Sequence, residues 1–326
     1  MARTSRRTLL GAAALSPLAH PALAQPRWPN RPVQLICPWA AGGGTDAVVR
    51  IIASLLEREL GQPFNVVNRT GGSGVVGHAA IAGAAPDGYS LGIITAEICM
   101  LHWQGLTELT YRNYTPFGLM NNDPPGVQVG NNSPHKDVKA LADAIKAGRP
   151  GQIKASGTGQ GGIWHLALAG WLGAMGLKAD HVRWVPSNGA APAMQDLAAG
   201  GLDLTTCSVP EARAMLDAGR ARSLAVMAPE RLSAFPNIPT LKEAMGVDYQ
   251  SGAWRGIAGP PGVPAEVKAA VEPALGKVFN STEYKEFMNN RGFGLTYADA
   301  AGFARHLEDA DKSLGDAMKA AGLAKS

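Results

Sequence analysis

Cysteine is scarce in this 326-residue chain, which contains only Cys37, Cys99 and Cys207. The three are far apart in sequence, so the chain has no CxxC motif and no zinc-ligand spacing. Two interpretations stay open. The three thiols are buried and behave as small apolar side chains, or one pair forms a disulfide in an oxidising compartment. In either case the sequence predicts no metal site.

Charged residues are also few, at 17% of the chain, and the formal net charge is +4. Arg3, Arg6 and Arg7 belong to an N-terminal leader, and without them 27 basic residues face 26 acidic ones. Nucleic-acid binding needs a clustered basic surface, so this near-neutral balance excludes it. After the leader, no segment reaches the roughly 18 apolar residues that would suggest a membrane span.

Catalytic motifs are missing as well. The chain has no G-x-x-x-x-G-K-[ST], no H-E-x-x-H and no G-x-S-x-G. His165 follows a glycine-rich loop that contains Thr158, with Ser156 just before it, but the sequence offers no third group to orient a catalytic base. A histidine at a helix start that bonds to loop backbone is the simpler interpretation. We predict no catalytic residue.

What the chain does have begins with a leader, "MARTSRRTLLGAAALSPLAHPALAQ". A basic start, an apolar stretch and the small-x-small end Ala22-Leu23-Ala24 are typical of a secretory signal peptide over 1–24, cleaved before Gln25. "SRRTLL" also resembles a twin-arginine export signal, so either export route stays open. The leader predicts a periplasmic protein, and no cysteine follows the cleavage site to carry a lipid.

Glycine is abundant, with 40 residues, and its clusters follow predicted strands. In "VQLICPWAAGGGTDAVVR" a short apolar run precedes the glycines and a helical period follows them. Strands alternate with helices along the chain, which favours parallel α/β layers with ligand loops at the strand C-termini. A proline-rich crossing at "NNDPPGVQVGNNSP" separates two sets of such loops. We therefore expect two lobes with a cleft between them.

The segment "GSGVVG", Gly72 to Gly77, matches the dinucleotide pattern G-x-G-x-x-G. A single match among 40 glycines is weak, the helix after it is short, and an exported chain is separated from the cytosolic nicotinamide pool. We interpret it as a structural turn near the cleft and predict no cofactor.

The loops 38–46 and 157–163 both end where a helix is predicted to begin. A helix N-terminus offers free N–H donors and the positive end of the helix dipole, which together bind anions. Two such termini facing across a cleft could hold a carboxylate without a cationic side chain. The glycines then allow the backbone to approach the anion. The alternative is that each loop is only a tight turn between strand and helix.

At this point the sequence resembles the Bug-type periplasmic receptors of tripartite tricarboxylate transporters over essentially the whole mature chain. The segments that carry the resemblance are P-x-x-x-G-G-x-x-D (Pro38 to Asp46), "APDGY", "SGTGQGGIWHLA", "VPSNGAAPAMQDL" and "PNIPTLKEA". The resemblance implies a two-lobe, type II periplasmic-binding-protein fold. We expect lobe 1 over 25–126 and 252–326, and lobe 2 over 127–251.

The resemblance also implies site residues. First-lobe contacts would be Trp39, Ala41, Gly43, Thr45 and Asp46, and second-lobe contacts would be Thr158, Gly161, His165, Ser187 and Gly189. Arg255, in "GAWRGIAGPP", is a further candidate. Three roles stay open for it: binding of a second ligand carboxylate, an internal pair with an acid such as Glu97 or Glu211, or stacking on Trp254. The residues usual in the family are replaced at Trp39, in "GQGGIWHL" and in "VPSNG". The identity of the ligand therefore cannot be inferred from better-known relatives.

The function that the resemblance implies is capture of a small organic carboxylate and its delivery to the permease subunits of a membrane transporter, without catalysis. We expect a monomer. The alternative function is an exported α/β enzyme, a hydrolase or a nicotinamide-dependent oxidoreductase.

Overall fold

The computed structural model describes residues 28–325. The predicted signal peptide and its cleavage site lie outside the described residues. Eleven strands are present in the described part: β1 (Val33–Cys37), β2 (Phe64–Asn68), β3 (Ser90–Thr95), β4 (Thr115–Asp123), β5 (Gly126–Gly130), β6 (Lys154–Ser156), β7 (Arg183–Trp184), β8 (Leu204–Thr205), β9 (Ala221–Val226), β10 (Ala253–Gly259) and β11 (Ala298–Asp299).

The same residues form ten α-helices: α1 (Gly44–Leu60), α2 (Val75–Ala82), α3 (Val138–Ala147), α4 (Ile163–Ala174), α5 (Ala190–Ala199), α6 (Val209–Asp217), α7 (Leu241–Met245), α8 (Ala265–Asn280), α9 (Thr282–Arg291) and α10 (Ala300–Ala320). Short 3₁₀ turns occupy Gly72–Gly74, Ala96–Cys99, Tyr111–Asn113 and Ala179–His181. Among residues 28–325, none of the helices is both long enough and apolar enough to cross a bilayer.

The strands form two mixed sheets. The first has the order β11-β4-β10-β3-β1-β2, with β2, β1 and β3 parallel and β10 antiparallel to both β3 and β4. The second has the order β7-β6-β8-β5-β9, with β7, β6 and β8 parallel. The first sheet therefore uses both ends of the chain, and the second uses only its middle.

The chain passes between the sheets twice. It leaves the first sheet at Pro124–Pro125, between β4 and β5, and returns by the segment between β9 and β10. This is the α/β, two-lobe arrangement of periplasmic binding proteins that the sequence resembles, and the fold class is confirmed. The segments that follow the C-terminal ends of β1, β3 and β6 contribute Trp39, Glu97 and Thr158 to one cavity between the sheets.

Helix α1 illustrates how the sequence sets these elements. Val48, Ile52, Leu55 and Leu56 recur at helical spacing and are buried against the first sheet's core. Gly61 ends the helix in the left-handed conformation, with φ of 73°, which glycine adopts without steric cost. The N-cap is Gly43, and the helix begins at Gly44.

The three cysteines, Cys37, Cys99 and Cys207, are free and buried. The structure therefore agrees with the interpretation that the three cysteines are buried thiols, and not with a disulfide between two of them. Burial raises the pKa of the Cys37 thiol to about 12, so this group stays protonated near neutral pH.

Candidate functional site

The candidate site is a small cavity between the two sheets, where three helices begin. Residues at the start of α1, α4 and α5 line it, namely Gly44, Ile163 and Ala190. The first-turn N–H groups of a helix have no acceptor within the helix, so each helix start brings N–H donors to this point. The cavity measures about 20 Å³, which is about the space that one water molecule needs.

The loop before α1 uses its three glycines differently. Gly42 adopts a φ of 80°, which disfavours any side chain with a β-carbon. Gly43 has an ordinary extended conformation, and a β-carbon there would point at the first amides of α5, 3.9 and 4.0 Å away. A β-carbon at Gly44 would lie 2.6 Å from a carboxylate oxygen of Glu211. Gly42 thus forms the turn, Gly43 leaves the approach to α5 open, and Gly44 allows close contact with Glu211.

Asp46 stabilises this loop through hydrogen bonds made outside the cavity. Its carboxylate accepts hydrogen bonds from the N–H of Gly42 over 2.9 Å, from Asn68 over 2.9 Å and from Arg50 over 3.0 Å. Burial alone would raise the pKa of Asp46, but these hydrogen bonds outweigh it and hold the pKa below its usual value. Asp46 does not line the central cavity.

The loop before α4 reaches across to the first sheet. Gly162 is the N-cap, and the N–H of Ile163 donates to Glu97 Oε1 over 3.2 Å. Gly161 has a φ of 68°, and its carbonyl accepts from Gln104 over 3.1 Å. The hydroxyl of Thr158 lines the cavity, is buried and has no hydrogen-bond partner.

The loop before α5 also bridges the two sheets. Gly189 is the N-cap of α5, and the carbonyl of Asn188 accepts from the N–H of Ala40 over 3.0 Å. Ser187 donates from its N–H to the carbonyl of Thr158 over 3.0 Å, which holds the second and third loops together. Hydrogen bonds therefore connect all three helix starts around one cavity.

Arg255, on β10, is the hub of a buried polar cluster. Its Nε donates to the Thr45 hydroxyl over 3.0 Å, and its Nη2 donates to Glu211 Oε1 over 3.0 Å. Its Nη1 donates to Asn121 and to Asp123. Burial disfavours the charged guanidinium, yet the two carboxylates outweigh this and raise the pKa of Arg255. Of the alternatives raised by the sequence, internal pairing with Glu211 is the one present.

Glu97 lies in the 3₁₀ turn after β3 and is 2% exposed. Its Oε2 accepts from the hydroxyl of Thr95, whose N–H donates to His78 Nε2 over 3.3 Å. Burial raises the pKa of Glu97, although hydrogen bonds from Thr95 and Ile163 act against this. Burial lowers the pKa of His78 to about 4, so His78 is neutral near pH 7.

Among the residues expected from the sequence, the cavity is lined by Trp39, Gly43, Thr45, Thr158 and Arg255. The others lie elsewhere: Ala41 is exposed, Asp46 and Gly161 support the loops, and Ser187 and Gly189 precede α5 without lining the cavity. In the segment "GSGVVG" a 3₁₀ turn over Gly72–Gly74 leads into α2. Its Gly74 packs on Trp39, since a β-carbon there would lie 3.1 Å from the indole ring.

His165 faces a different cavity. Its ring stacks on Trp184 with centroids 4.6 Å apart, and its Nδ1 accepts from the N–H of Gly161 over 2.9 Å. Both side chains line an open groove of about 1060 Å³ between α4 and the end of α10. This bond to loop backbone is the simpler role that the sequence suggested for His165. Burial lowers its pKa to about 4.

Several cavity residues were not assigned from the sequence, notably Gly44, Thr95 and Trp254. Glu97 and Glu211 were noticed but not assigned. A signal for Glu211 was present, because Ser208-x-x-Glu211 is a capping-box spacing at the start of α6. Nothing local marks Glu97 as a cavity residue. Across residues 28–325, no three His, Cys, Asp or Glu side chains lie close enough together to bind a metal ion.

The family of the chain is decided by comparison. A profile described as tripartite tricarboxylate transporter family receptor matches residues 48–323. The chain belongs to this family. Protein BugT of Bordetella pertussis is 28% identical over 270 residues, which cover 81% of each protein. The resemblance identified from the sequence is confirmed.

Solved structures of similar proteins agree with this family assignment. A TctC solute binding protein from Polaromonas, without ligand, is 30% identical and superposes with a TM-score of 0.63 over 90% of this chain and 99% of that one. R. palustris Rpa4515 with adipate is 27% identical and superposes with a TM-score of 0.85 over 91% of this chain and 99% of that one. Since the family and these neighbours are binding proteins, the receptor is favoured over the exported enzyme.

Proposed function

We propose that this receptor captures a small organic carboxylate between two lobes and delivers it to the permease subunits of a tripartite transporter. The observation that carries the proposal is the convergence of the N-termini of α1, α4 and α5 on one cavity. Each terminus supplies N–H donors and the positive end of a helix dipole, which favours an anion by about 0.3–1 kcal/mol and by up to roughly 2 when partly buried.

The proposal keeps the lobe bounds expected from the sequence, with lobe 1 over 25–126 and 252–326 and lobe 2 over 127–251. The described structure is closed. Ala40 contacts Asn188, Ile163 contacts Glu97, and a cavity of about 20 Å³ remains. A ligand therefore needs the lobes to separate before it enters.

Location and assembly follow the same proposal. The leader predicts export to the periplasm by the Sec or the twin-arginine route, and BugD, a structural neighbour, is a periplasmic binding protein. We expect the receptor to act as a monomer that presents its closed, loaded form to the permease.

A thermal-shift screen of small organic acids tests the proposal. A ligand at 100 times its dissociation constant stabilises a protein by about 2.7 kcal/mol, which gives a clear rise in melting temperature. We expect at least one small carboxylate to produce this rise and NAD to produce none. A shift with NAD, together with no shift for any acid, would overturn the proposal.

A further inference from the structure

Glu97 is the feature of the cavity that a simple carboxylate receptor does not need. It is 2% exposed, lines the cavity, and reaches from the first lobe to the start of α4 in the second. Both of its carboxylate oxygens accept hydrogen bonds, one from the Thr95 hydroxyl and one from the N–H of Ile163. Neither donor carries a formal charge.

Glu97 also lacks a cationic partner in the described part of the chain. The salt bridges of Arg255 go to Asp123 and Glu211, and Arg255 acts on Glu97 only at longer range. The start of α4 contributes a partial positive charge of about one half, which does not neutralise a carboxylate. A buried carboxylate without a counter-ion is costly, and it either takes up a proton or acquires a cation.

The charges around the cavity are unfavourable for a second ligand carboxylate. Glu97, Glu211 and Asp123 are three acids, and Arg255 is the one cation among them. Four donor contacts already occupy the guanidinium, so it cannot offer a bidentate pair to a ligand. A dicarboxylate would bring one anionic group to a site that already has an excess of them.

The donors that remain suit one carboxylate. They are the first-turn amides of α1 and α5 and the buried Thr158 hydroxyl, which lines the cavity without a hydrogen-bond partner. These donors favour an anion, while the ionised Glu97 carboxylate offers an acceptor for a cation.

From this division, and resting on the proposed function, we infer that the ligand carries an ammonium or similar cationic group beside its carboxylate, and that Glu97 is the counter-ion that selects it. Glu97 is then a specificity-determining residue, and the preferred ligands are amino acids rather than di- or tricarboxylates. When the cleft opens, Glu97 releases the N–H of Ile163 and becomes available to the ligand's cation.

Calorimetric titration with matched ligand pairs tests the inference. Each amino acid is paired with the hydroxy acid of the same skeleton, such as alanine with lactate, valine with 2-hydroxyisovalerate, and leucine with 2-hydroxyisocaproate. We expect the best-binding skeleton to favour its amino form by on the order of tenfold or more, as a charge-assisted hydrogen bond does. Glu97→Gln removes that preference by weakening the amino form alone, and the exposed Glu283→Gln leaves it unchanged.

The outcomes separate the two proposals. A hydroxy acid that binds the unmodified protein more tightly than its amino partner overturns the inference and leaves the receptor function intact. The same holds for a dicarboxylate that binds more tightly than every amino acid tested. An amino preference that survives in a folded Glu97→Gln protein also overturns it. If no acid of any kind binds, the proposed function fails and the inference fails with it. The pairs measured on the unmodified protein give a decision even if Glu97→Gln does not fold.

Discussion

The guanidinium of Arg255 donates to the carboxylate of Glu211 over 3.0 Å and so connects β10 of the first sheet to α6, which packs on the second. Both side chains are buried, at 3% and 4% exposure. Because Arg255 also bonds to Thr45 at the start of α1, this one side chain fixes the glycine loop and the lobe contact together.

Replacing Arg255 by glutamine should strongly destabilise the ligand-free protein. The change leaves Asp123 and Glu211 buried without a cation, and breaking a buried pair in this way costs about 3–5 kcal/mol. Urea unfolding measures the effect. Arg58→Gln is the control, since its pair with Glu283 is exposed and should contribute less than about 1 kcal/mol. Similar small losses for both variants would show that the cluster around Arg255 is not a structural hub.

Gly43→Val should abolish ligand binding and leave the fold intact. The backbone at Gly43 has φ of −80° and ψ of 175°, which valine adopts without strain, but its side chain would fill the approach to the first amides of α5. We expect a change in unfolding free energy within about 1 kcal/mol, as for substitutions that create no clash or cavity. Gly173→Ala, where no atom lies within 4 Å of the added carbon, is the matched control.

Binding of the same acid to Gly43→Val with unmodified affinity would mean that the glycine loop is only a turn. Loss of binding in Gly173→Ala as well would point to a general effect of replacing glycine and not to the approach to α5.

The sequence was sufficient for the fold and for part of the site. The alternation of strands and helices, the glycine loops and the crossing near Pro124 are local features that predicted two lobes with glycine loops at a cleft. The family resemblance assigned Gly43, Thr45 and Thr158 to the site, and all three line the cavity. Glu97 could not be assigned, because its role depends on Ile163, 66 residues away in the other lobe. Likewise, Gly44 is close to Glu211 only after both sheets have formed.

Asp46 is a residue that the sequence analysis assigned to the ligand site but that does not line the cavity. Its position in the glycine motif made it an expected ligand contact, but in the structure its carboxylate is used by Gly42, Arg50 and Asn68. Sequence spacing alone could not distinguish an acid that lines the cavity from one that supports the loop. Its role toward a ligand stays a prediction, which the variants above do not address.

Ligand should shift the protein toward its closed form. Hinge closure in two-lobe proteins uses a few residues between lobes, here expected near Pro124–Gly126 and Gly252–Arg255. Small-angle scattering should therefore give a smaller radius of gyration at saturating ligand than without it. An unchanged radius at saturation would indicate a site that is closed before the ligand binds.

Acid should destabilise the protein through His78 and His165. Burial lowers the pKa of each to about 4, below the value of about 6.5 in an unfolded chain. The folded state thus binds fewer protons than the unfolded state between these values. Stability is complete above pH 6.5 and falls toward pH 4, by at most about 1.4 kcal/mol per pH unit for each histidine. Chemical unfolding across this range measures the slope, and His165→Gln should reduce it.

The same slope between pH 4 and 6.5 in His165→Gln and in the unmodified protein would show that His165 is not buried in the neutral form. Glu97 acts in the opposite direction, because its pKa is raised and its contribution falls as pH increases from about 4.3. The comparison of His165→Gln with the unmodified protein removes this second effect.

The most direct test of the binding site is an amide NMR titration with the tightest-binding acid from the thermal screen. A carboxylate held by the starts of α1, α4 and α5 should shift the amide resonances of Gly44, Thr45, Trp164 and Ala190 more than those of residues far from the cavity. The larger groove of about 1060 Å³ beside His165 and Trp184 is the competing location. Ligand-dependent shifts confined to the amides that line that groove, with none at the three helix starts, would contradict the proposed site.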